Sequence, residues 1–186
     1  GQKMSKILGN VIEPFAVAEE YGTDALRYYL ARHISPFEDS DFTMEKFKEA
    51  YNGNLANGLG NLVSRIMQLA QTHLHGDINK DYGKDLESQN DKFAKEYSTK
   101  IENFEIGGAI DFAFSRIQIL DQRIAAEVPF QVIKRNQMAG QQLILALTRE
   151  LYGVAILLAP FMPETAKKIQ EAVKANKKPE NLFPRK

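Results

Sequence analysis

Lys3-Met4-Ser5-Lys6-Ile7-Leu8-Gly9-Asn10 sets two ammonium groups three residues apart, with a hydroxyl between them and a glycine just beyond. Lysine is a compact, strongly hydrated charge that suits phosphate oxygens. Ser5 can donate a hydrogen bond, and Gly9 lets the backbone come close to a ligand. Such a loop can hold a polyphosphate and stabilise charge that develops on it in a transition state. Taken alone, the same residues read more simply as a solvated basic terminus. Asn61 and Arg65 form a second pair, four apart and therefore vertical neighbours on a helix. The plain reading of that pair is a surface amide and guanidinium with no ligand. Pro129-Phe130 puts a large ring at the tip of a junction between helices. Glu38, Asp39 and Asp41 crowd one loop, but the glycine and closing glutamate of a calcium loop are missing, and they read as solvated acids.

The elements that must position these groups are helical. Pro14 to Tyr21 reads as a short helix that ends at Gly22. Thr23 is expected to cap the next helix, with Asp24 in its first turn. Arg27 is its polar exception, expected to pair with a carboxylate or face solvent. Residues 34–42 are a loop, and Thr43 caps a helix that runs to about Tyr51. Asn52-Gly53-Asn54 is expected to loosen the chain. A longer helix then carries Leu55, Leu59, Leu62, Val63, Ile66, Met67, Leu69 and Ala70 on one broad apolar face. Gly58 and Gly60 inside it make sense if another backbone packs closely there. After a turn-rich connection from His75 to Gly83, helices are expected over about Ser88 to Asn103 and Glu105 to Val128. Pro129 breaks the second of these. A strongly apolar helix over 139–158 stops at Pro160, and a last one runs from Glu164 to Ala175. The only strand candidates are short pieces near 10–12 and 32–37. The whole predicts an all-α antiparallel helix bundle, preceded by a short loop-plus-helices segment. Residues from Asn176 onward read as a basic, solvated tail.

Composition narrows the chemistry. Of the 186 residues, 44% are hydrophobic and 26% charged, enough for a substantial core. Lysine plus arginine balances aspartate plus glutamate at 24 each, so an anionic partner must be met by a local patch. No cysteine is present, which removes disulfides and thiolate metal sites, and three scattered histidines suggest no zinc site. No metal site is expected. No uninterrupted apolar run approaches the roughly 20 residues that span a bilayer, and the start has no signal-peptide layout. A cytoplasmic location, with no membrane partner, is the expectation.

Three stretches in order carry a resemblance: the opening loop, Tyr21-Gly22-Thr23-Asp24-Ala25-Leu26-Arg27-Tyr28-Tyr29-Leu30, and Leu59-Gly60-Asn61-Leu62-Val63-Ser64-Arg65. Together they resemble the C-terminal half of the class I aminoacyl-tRNA synthetases, most closely the methionyl branch. The resemblance covers nearly the whole chain and fades after about residue 160. It implies that Lys3, Met4, Ser5, Lys6 and Ile7 form the loop that closes on ATP. Lys6 would then be the catalytic-side lysine on the polyphosphate, supported by Lys3 and Ser5. The family's fifth loop position is serine; here Ile7 removes a hydroxyl but neither ammonium. The resemblance also implies that the bundle is the anticodon-binding domain. Asn61 and Arg65 would read anticodon bases, and Pro129-Phe130 would supply the stacking surface where the family has Pro-Trp. Phenylalanine keeps the π-face, worth about 1–3 kcal/mol per stacked base. Where the family favours an asparagine and a tyrosine just upstream, this chain has Asp121 and Arg123.

The family's nucleotide-binding half, with its His-Ile-Gly-His motif, is not in these residues, and the chain reads as a piece cut from a longer enzyme. On this reading residues 1–42 are the ATP loop and stem-contact segment at the end of the catalytic half. Residues 43–175 are the helical anticodon-binding domain and residues 176–186 the basic tail. The full enzyme would join methionine to its tRNA through an adenylate, with ATP and magnesium as cofactor. The piece alone would bind the anticodon stem-loop of a methionine-accepting tRNA, without cofactor or catalysis. The alternatives are a leucyl, valyl, isoleucyl or cysteinyl relative, or a stand-alone tRNA-binding helical module.

Overall fold

The computed structural model describes residues 4–5, 11–74 and 91–186. Most of the opening loop (Lys3, Lys6 and Ile7 among it), the His75–Gly83 connection and the expected helix start at Ser88 lie outside the described residues. Those described form helices and connecting loops, with no strand among them. In order they are α1 (Pro14–Tyr21), α2 (Thr23–His33), α3 (Met44–Ala50), a π-helical segment (Tyr51–Gly60), α4 (Asn61–His73), α5 (Asp91–Glu102), α6 (Ile106–Glu127), α7 (Pro129–Arg135), α8 (Gln137–Leu158) and α9 (Pro163–Lys174).

The local signals explain most boundaries. The Thr43 hydroxyl accepts from the Lys46 N–H at 3.2 Å and starts α3. Asn136 does the same for α8 through the Ala139 N–H at 3.1 Å. Proline opens α1, α7 and α9. Three expectations change. Thr23 is not a cap: it is the first residue of α2, and Gly22 precedes it at φ 91°, a left-handed angle that glycine takes without strain. Residues 130–135, expected as a junction, belong to a short helix, Pro129–Arg135. Asn52-Gly53-Asn54 does not loosen the chain. The helix runs unbroken from Met44 to His73, with its middle wound as a π-helix. Tyr51, Leu55 and Leu59 are all buried there, so packing holds the segment helical. Three glycines and three asparagines, weak helix formers, offer little resistance to the change of hydrogen-bond register. The Asn61 N–H bonds to the Ala56 carbonyl, five residues back. A Cβ on Gly60 would sit 3.1 Å from the Leu55 carbonyl oxygen, so the close backbone expected at this glycine is that of its own helix.

Helix α8 is the centre of the bundle. Helices α4, α6, α7 and α9 all pack on it, and Ile144, Leu147, Leu151, Ala155 and Leu158 are fully buried. By length and composition this helix could cross a membrane, although Thr148, Arg149 and Glu150 interrupt every long apolar run; in this fold its apolar side is the core. Helix α5 docks on α6 and is fastened to α8 by the Tyr97 hydroxyl, which donates to the Leu157 carbonyl at 2.7 Å. Burial pushes that phenol up to about 12, so it remains a protonated donor.

Helix α2 joins the first part of the chain to the bundle at both ends of the α8–α9 turn. The buried Asp24 carboxylate accepts from the Thr165 N–H at 2.6 Å, capping the first turn of α9 from another helix. Arg27 is exposed, as one of its two expected placements has it, and meets no carboxylate; it donates to the Phe161 and Pro160 carbonyls at 2.8 and 2.7 Å, beyond the end of α8. Arg32 adds an ion pair with Asp111 on α6 at 2.7 Å, its guanidinium 4.4 Å from the centre of the Phe114 ring.

The final residues are not a solvated tail. They form a strap that runs antiparallel along the Met44–His73 rod. Asn176 donates to the Leu74 carbonyl, the Lys178 N–H to Gln71, the Tyr51 hydroxyl to the Pro184 carbonyl, and Lys186 exchanges two hydrogen bonds with Asn52. Phe183 is buried edge-on against Tyr51, with ring centres 6.0 Å apart. The strap bends at Glu180 and again at Leu182 and Phe183, where the Phe183 N–H donates to the Asn181 side chain at 3.4 Å.

Two substitutions test this packing. A Cβ on Gly140 would lie 2.4 Å from the Ile133 Cα and 2.8 Å from its N, because α7 crosses α8 there. Gly140→Ala should therefore cost about 1–3 kcal/mol in urea denaturation, and a loss near zero would mean that α7 moves aside freely. Phe183→Ala should cost about 3 kcal/mol, and a loss indistinguishable from zero would place the strap outside the cooperative unit.

Candidate nucleic-acid interface

Asn61 is the first residue of α4, immediately after the π-helical segment. The wide turns upstream therefore set its angular position, and that of Arg65 one turn later. The buried side of α4 is made by Leu62, Val63, Ile66, Met67 and Ala70. Asn61 is exposed on the opposite side and Arg65 is half-buried. Asn61 and Ser64 face a cleft of about 480 Å³ whose other wall is the strap. Lys178 and Arg185 supply its cations, Asn57 and Asn181 its other amides, and no carboxylate lines it.

The Arg65 guanidinium does not stand alone. Its Nη1 donates to Asp121 Oδ1 on α6 at 2.6 Å, and both side chains keep substantial exposure, 40% and 56%. Arg123, two residues on, turns elsewhere. It donates to Glu127 Oε1 at 2.8 Å and to Glu150 on α8, and Arg116 lies 3.8 Å from the same Glu150. The hydrogen bond to Glu127 is the largest influence holding the Arg123 pKa above its ordinary value, with Glu150 adding to it. Arg123 is thus a structural bridge between α6 and α8, and Asp121 is left to Arg65.

Two turns after Asp121, helix α6 ends at Val128, a β-branched residue at φ 44° and ψ 62°. This left-handed conformation costs on the order of 1–3 kcal/mol in a residue other than glycine. It redirects the chain into α7: the Val128 N–H closes α6 on Ile124, while its carbonyl accepts from Gln131 and Val132 in α7. Pro129 is buried as the first residue of the new helix, and Phe130 stands 53% exposed beside it. Lys134 and Arg135 are exposed at the other end of the same short helix. Gln141 of α8 donates to the His73 carbonyl at the end of α4 at 3.0 Å. Helix α7 crosses α8 at neighbouring Gly140. The C-terminal half of α4 and the Phe130 ring therefore lie at the same end of the bundle. None of the described hydrogen bonds or ring contacts joins Phe130 to Asn61 or Arg65, which lie in the N-terminal half of α4; Arg65 reaches α6 at Asp121, two turns before the bend.

Exposed donors and acceptors on one helix and an exposed aromatic ring on another are the groups that recognition of unstacked bases uses. Of the opening loop, Met4 is exposed and Ser5 half-buried; Lys3, Lys6 and Ile7 are outside the described residues. Sequence reasoning missed the strap's contribution to the cleft. The signal was there: an aromatic set between two prolines, Pro179-Glu-Asn-Leu-Phe183-Pro184, is a poor composition for a free tail. It also missed that Asp121 would meet Arg65, a pairing 56 residues apart that carries no local mark.

The family model described as "tRNA synthetases class I (M)" matches residues 1–67. Methionine–tRNA ligase of Helicobacter pylori (strain ATCC 700392 / 26695) is 31% identical over 97% of this chain, which spans 29% of that protein. Those of Oceanobacillus iheyensis and Bacillus subtilis are 33% and 32% identical over 91% of the chain, which covers 26% and 27% of them. The chain thus spans under a third of the length of these curated relatives. Among solved structures, apo Mycobacterium tuberculosis methionyl-tRNA synthetase superposes with a TM-score of 0.77 at 23% identity, over 94% of this chain and 41% of that one. The same enzyme in complex with methionyl-adenylate gives 0.76 at 26% identity, over 91% of this chain and 35% of that one. A match that runs through both the leading segment and the helical bundle, in sequence and in fold, places the chain in the methionyl-tRNA synthetase family, of whose members it spans a part.

Proposed function

We propose that the chain is the anticodon-recognising part of a methionine–tRNA ligase, together with the end of its ATP-handling half. The observation that carries the reading is that Asn61 and Phe130 are exposed and Arg65 half-buried on the outside of the bundle, with Arg65 tied to Asp121 two turns before the bend that presents Phe130. The Asn61 amide offers donor and acceptor together to a splayed-out base edge, the Arg65 guanidinium presents forked donors, and Phe130 over the buried Pro129 offers a stacking face. Residues 1–42 serve as the loop and stem-contact segment, 43–175 as the anticodon-binding domain, and the strap 176–186 as one wall of the RNA-facing cleft.

In the whole enzyme, methionine and ATP, with magnesium, give the adenylate and pyrophosphate, and the methionyl group then passes to tRNA. Lys6 contacts the polyphosphate, with Lys3, Met4, Ser5 and Ile7 completing the loop. An ammonium that follows the charge developing on the phosphates lowers the barrier more than it tightens the ground state. The chain by itself binds the anticodon stem-loop of a methionine-accepting tRNA without catalysing either step. A cytoplasmic location follows from that reading.

Binding to a labelled methionine-tRNA anticodon stem-loop, followed by fluorescence anisotropy, tests the recognition half. Arg65→Ala should weaken binding by roughly 1–3 kcal/mol, and Lys6→Ala by much less. Equal affinity for stem-loops with scrambled anticodons would sink the claim of base reading. The ATP half is tested with the chain joined to a methionyl-type nucleotide-binding half. There Lys6→Ala should depress methionine-dependent pyrophosphate exchange on the order of a hundredfold, as loss of one charge-stabilising donor does, and leave tRNA affinity nearly unchanged. Unchanged exchange would remove Lys6 from the chemistry.

A further inference from the structure

The strap is held to the rod without its cationic side chains. Its docking uses main-chain groups and one ring. The Lys178 N–H donates to Gln71, the Pro184 carbonyl accepts from the Tyr51 hydroxyl, the Lys186 backbone exchanges with Asn52, and Phe183 is buried. The Lys178 and Arg185 side chains take part in none of these contacts, and both residues are exposed. Neither meets a carboxylate among the described ion pairs. Both nevertheless line the cleft of about 480 Å³ between strap and rod. Anchoring of the strap gives no reason for two cations there.

The rest of the lining has a matching character. Strap and rod meet at Gly60, where an added Cβ would lie 3.8 Å from the Asn181 Oδ1 and from the Phe183 ring. Beside that meeting line the rod presents Asn57, Asn61 and Ser64, and the strap presents Asn181. These are neutral donors and acceptors. Glu180, the one acid between Asn176 and Lys186, does not line the cleft. The result is a local positive site on a chain of zero formal net charge. The Lys178 backbone is tied to Gln71, whereas Arg185 stands next to Lys186 at Asn52, so the two cations reach the cleft from opposite ends of the strap.

Two separated cations with amides between them suit a strand that carries a phosphate at every nucleotide and base edges on its other side. Phosphate contacts of this kind add affinity and fix register but carry no sequence information. We propose that the strap is a backbone grip: Lys178 and Arg185 hold phosphates of the single-stranded anticodon loop, on the wall of the cleft opposite Asn61. This rests on the reading of Asn61 as a base-reading residue. Reading and holding then fall to different walls, the rod supplying the amides that meet bases and the strap the charges that meet phosphates. Because the strap is docked through its backbone and Phe183, it sets the spacing of the two walls whatever side chains stand at 178 and 185.

The experiment measures the affinity of the whole chain for matched and scrambled anticodon stem-loops between about 50 and 200 mM salt. The variants are Lys178→Gln, Arg185→Gln, the two combined, and the charge-keeping Lys178→Arg and Arg185→Lys. Loss of one phosphate contact on a single strand should flatten the dependence of log K on log salt by about 0.7, and the double variant by about twice that. Matched and scrambled loops should weaken by the same factor, so that the ratio between them holds. The charge-keeping variants should retain the slope. Lys167→Gln combined with Lys168→Gln, exposed cations of α9 outside the cleft, should leave it unchanged. Thermal melts establish that each variant is folded. An unaltered slope in the double variant, or an equal flattening in the α9 variant, would overturn the grip; the base-reading function would stand if the matched loop were still preferred. Equal affinity of the unaltered chain for both loops would overturn the base-reading function, while the slopes would still report on the grip. No binding of either loop would overturn both.

Discussion

The wide winding of the helix between Tyr51 and Gly60 is the constraint on which most of the molecule depends. A π-turn inserted into an α-helix rotates everything beyond it, so the side chains of α4 leave the segment at an angle the α-helical period does not give. Leu55 and Leu59 hold the segment in the core, and α2, α3 and α6 pack directly on it. The strap lies along its outer side, tied at Tyr51 and Asn52. Restoring ordinary α-helical register would turn Asn61 and Arg65, together with the apolar stripe of α4, relative to Tyr51, Leu55 and Leu59. The segment thus acts as the reference from which the surface residues of α4 are measured.

The bundle built on this rod is unusual in how its separate pieces are fastened. Hydrophobic packing supplies the body, with α8 at its centre, but orientation comes from a few polar contacts at helix ends. Asp24 meets the N-terminus of α9, where a negative charge suits the helix end, and Arg27 holds two carbonyls of the turn that follows α8. One helix thereby grips both sides of the α8–α9 turn. Tyr97 ties α5, a mostly polar helix, to a carbonyl of the core. Such contacts satisfy backbone groups that a helix end would otherwise leave without partners, so they fix geometry without requiring additional apolar area.

Boundaries and faces were legible in the sequence wherever the cause was local. Pro14, Gly22, Thr43, Pro129 and Pro163 mark real helix ends, although Gly22, not Thr23, precedes α2. The apolar stripe of α4 was legible because its period is that of a helix, and Asn61 and Arg65 fall outside it as expected. What could not be read depended on partners far along the chain. Asn-Gly-Asn is a local break signal, overridden by the burial of the leucines that follow. Arg27 meets carbonyls more than 130 residues away. The closing residues are basic in composition, and only Phe183, among prolines, hinted that they would dock. Of the candidate site, the positions were visible, but the company they keep, above all Asp121 beside Arg65, was not.

Val128 and Gly140 can now be considered together. The left-handed bend at Val128 persists because α7 is pressed so closely to α8 that position 140 has no room for a side chain. Aim and chemistry are consequently handled by different residues. Bend, proline and glycine are buried or backbone-bound, and they determine where position 130 points. The side chain at 130 touches little and can change without disturbing them. A ring of another size, or with a hydrogen-bond donor, would be delivered to the same place. The surface at this end of the molecule can therefore be retuned by single substitutions at 130, whereas 128, 133 and 140 are free to vary only in concert.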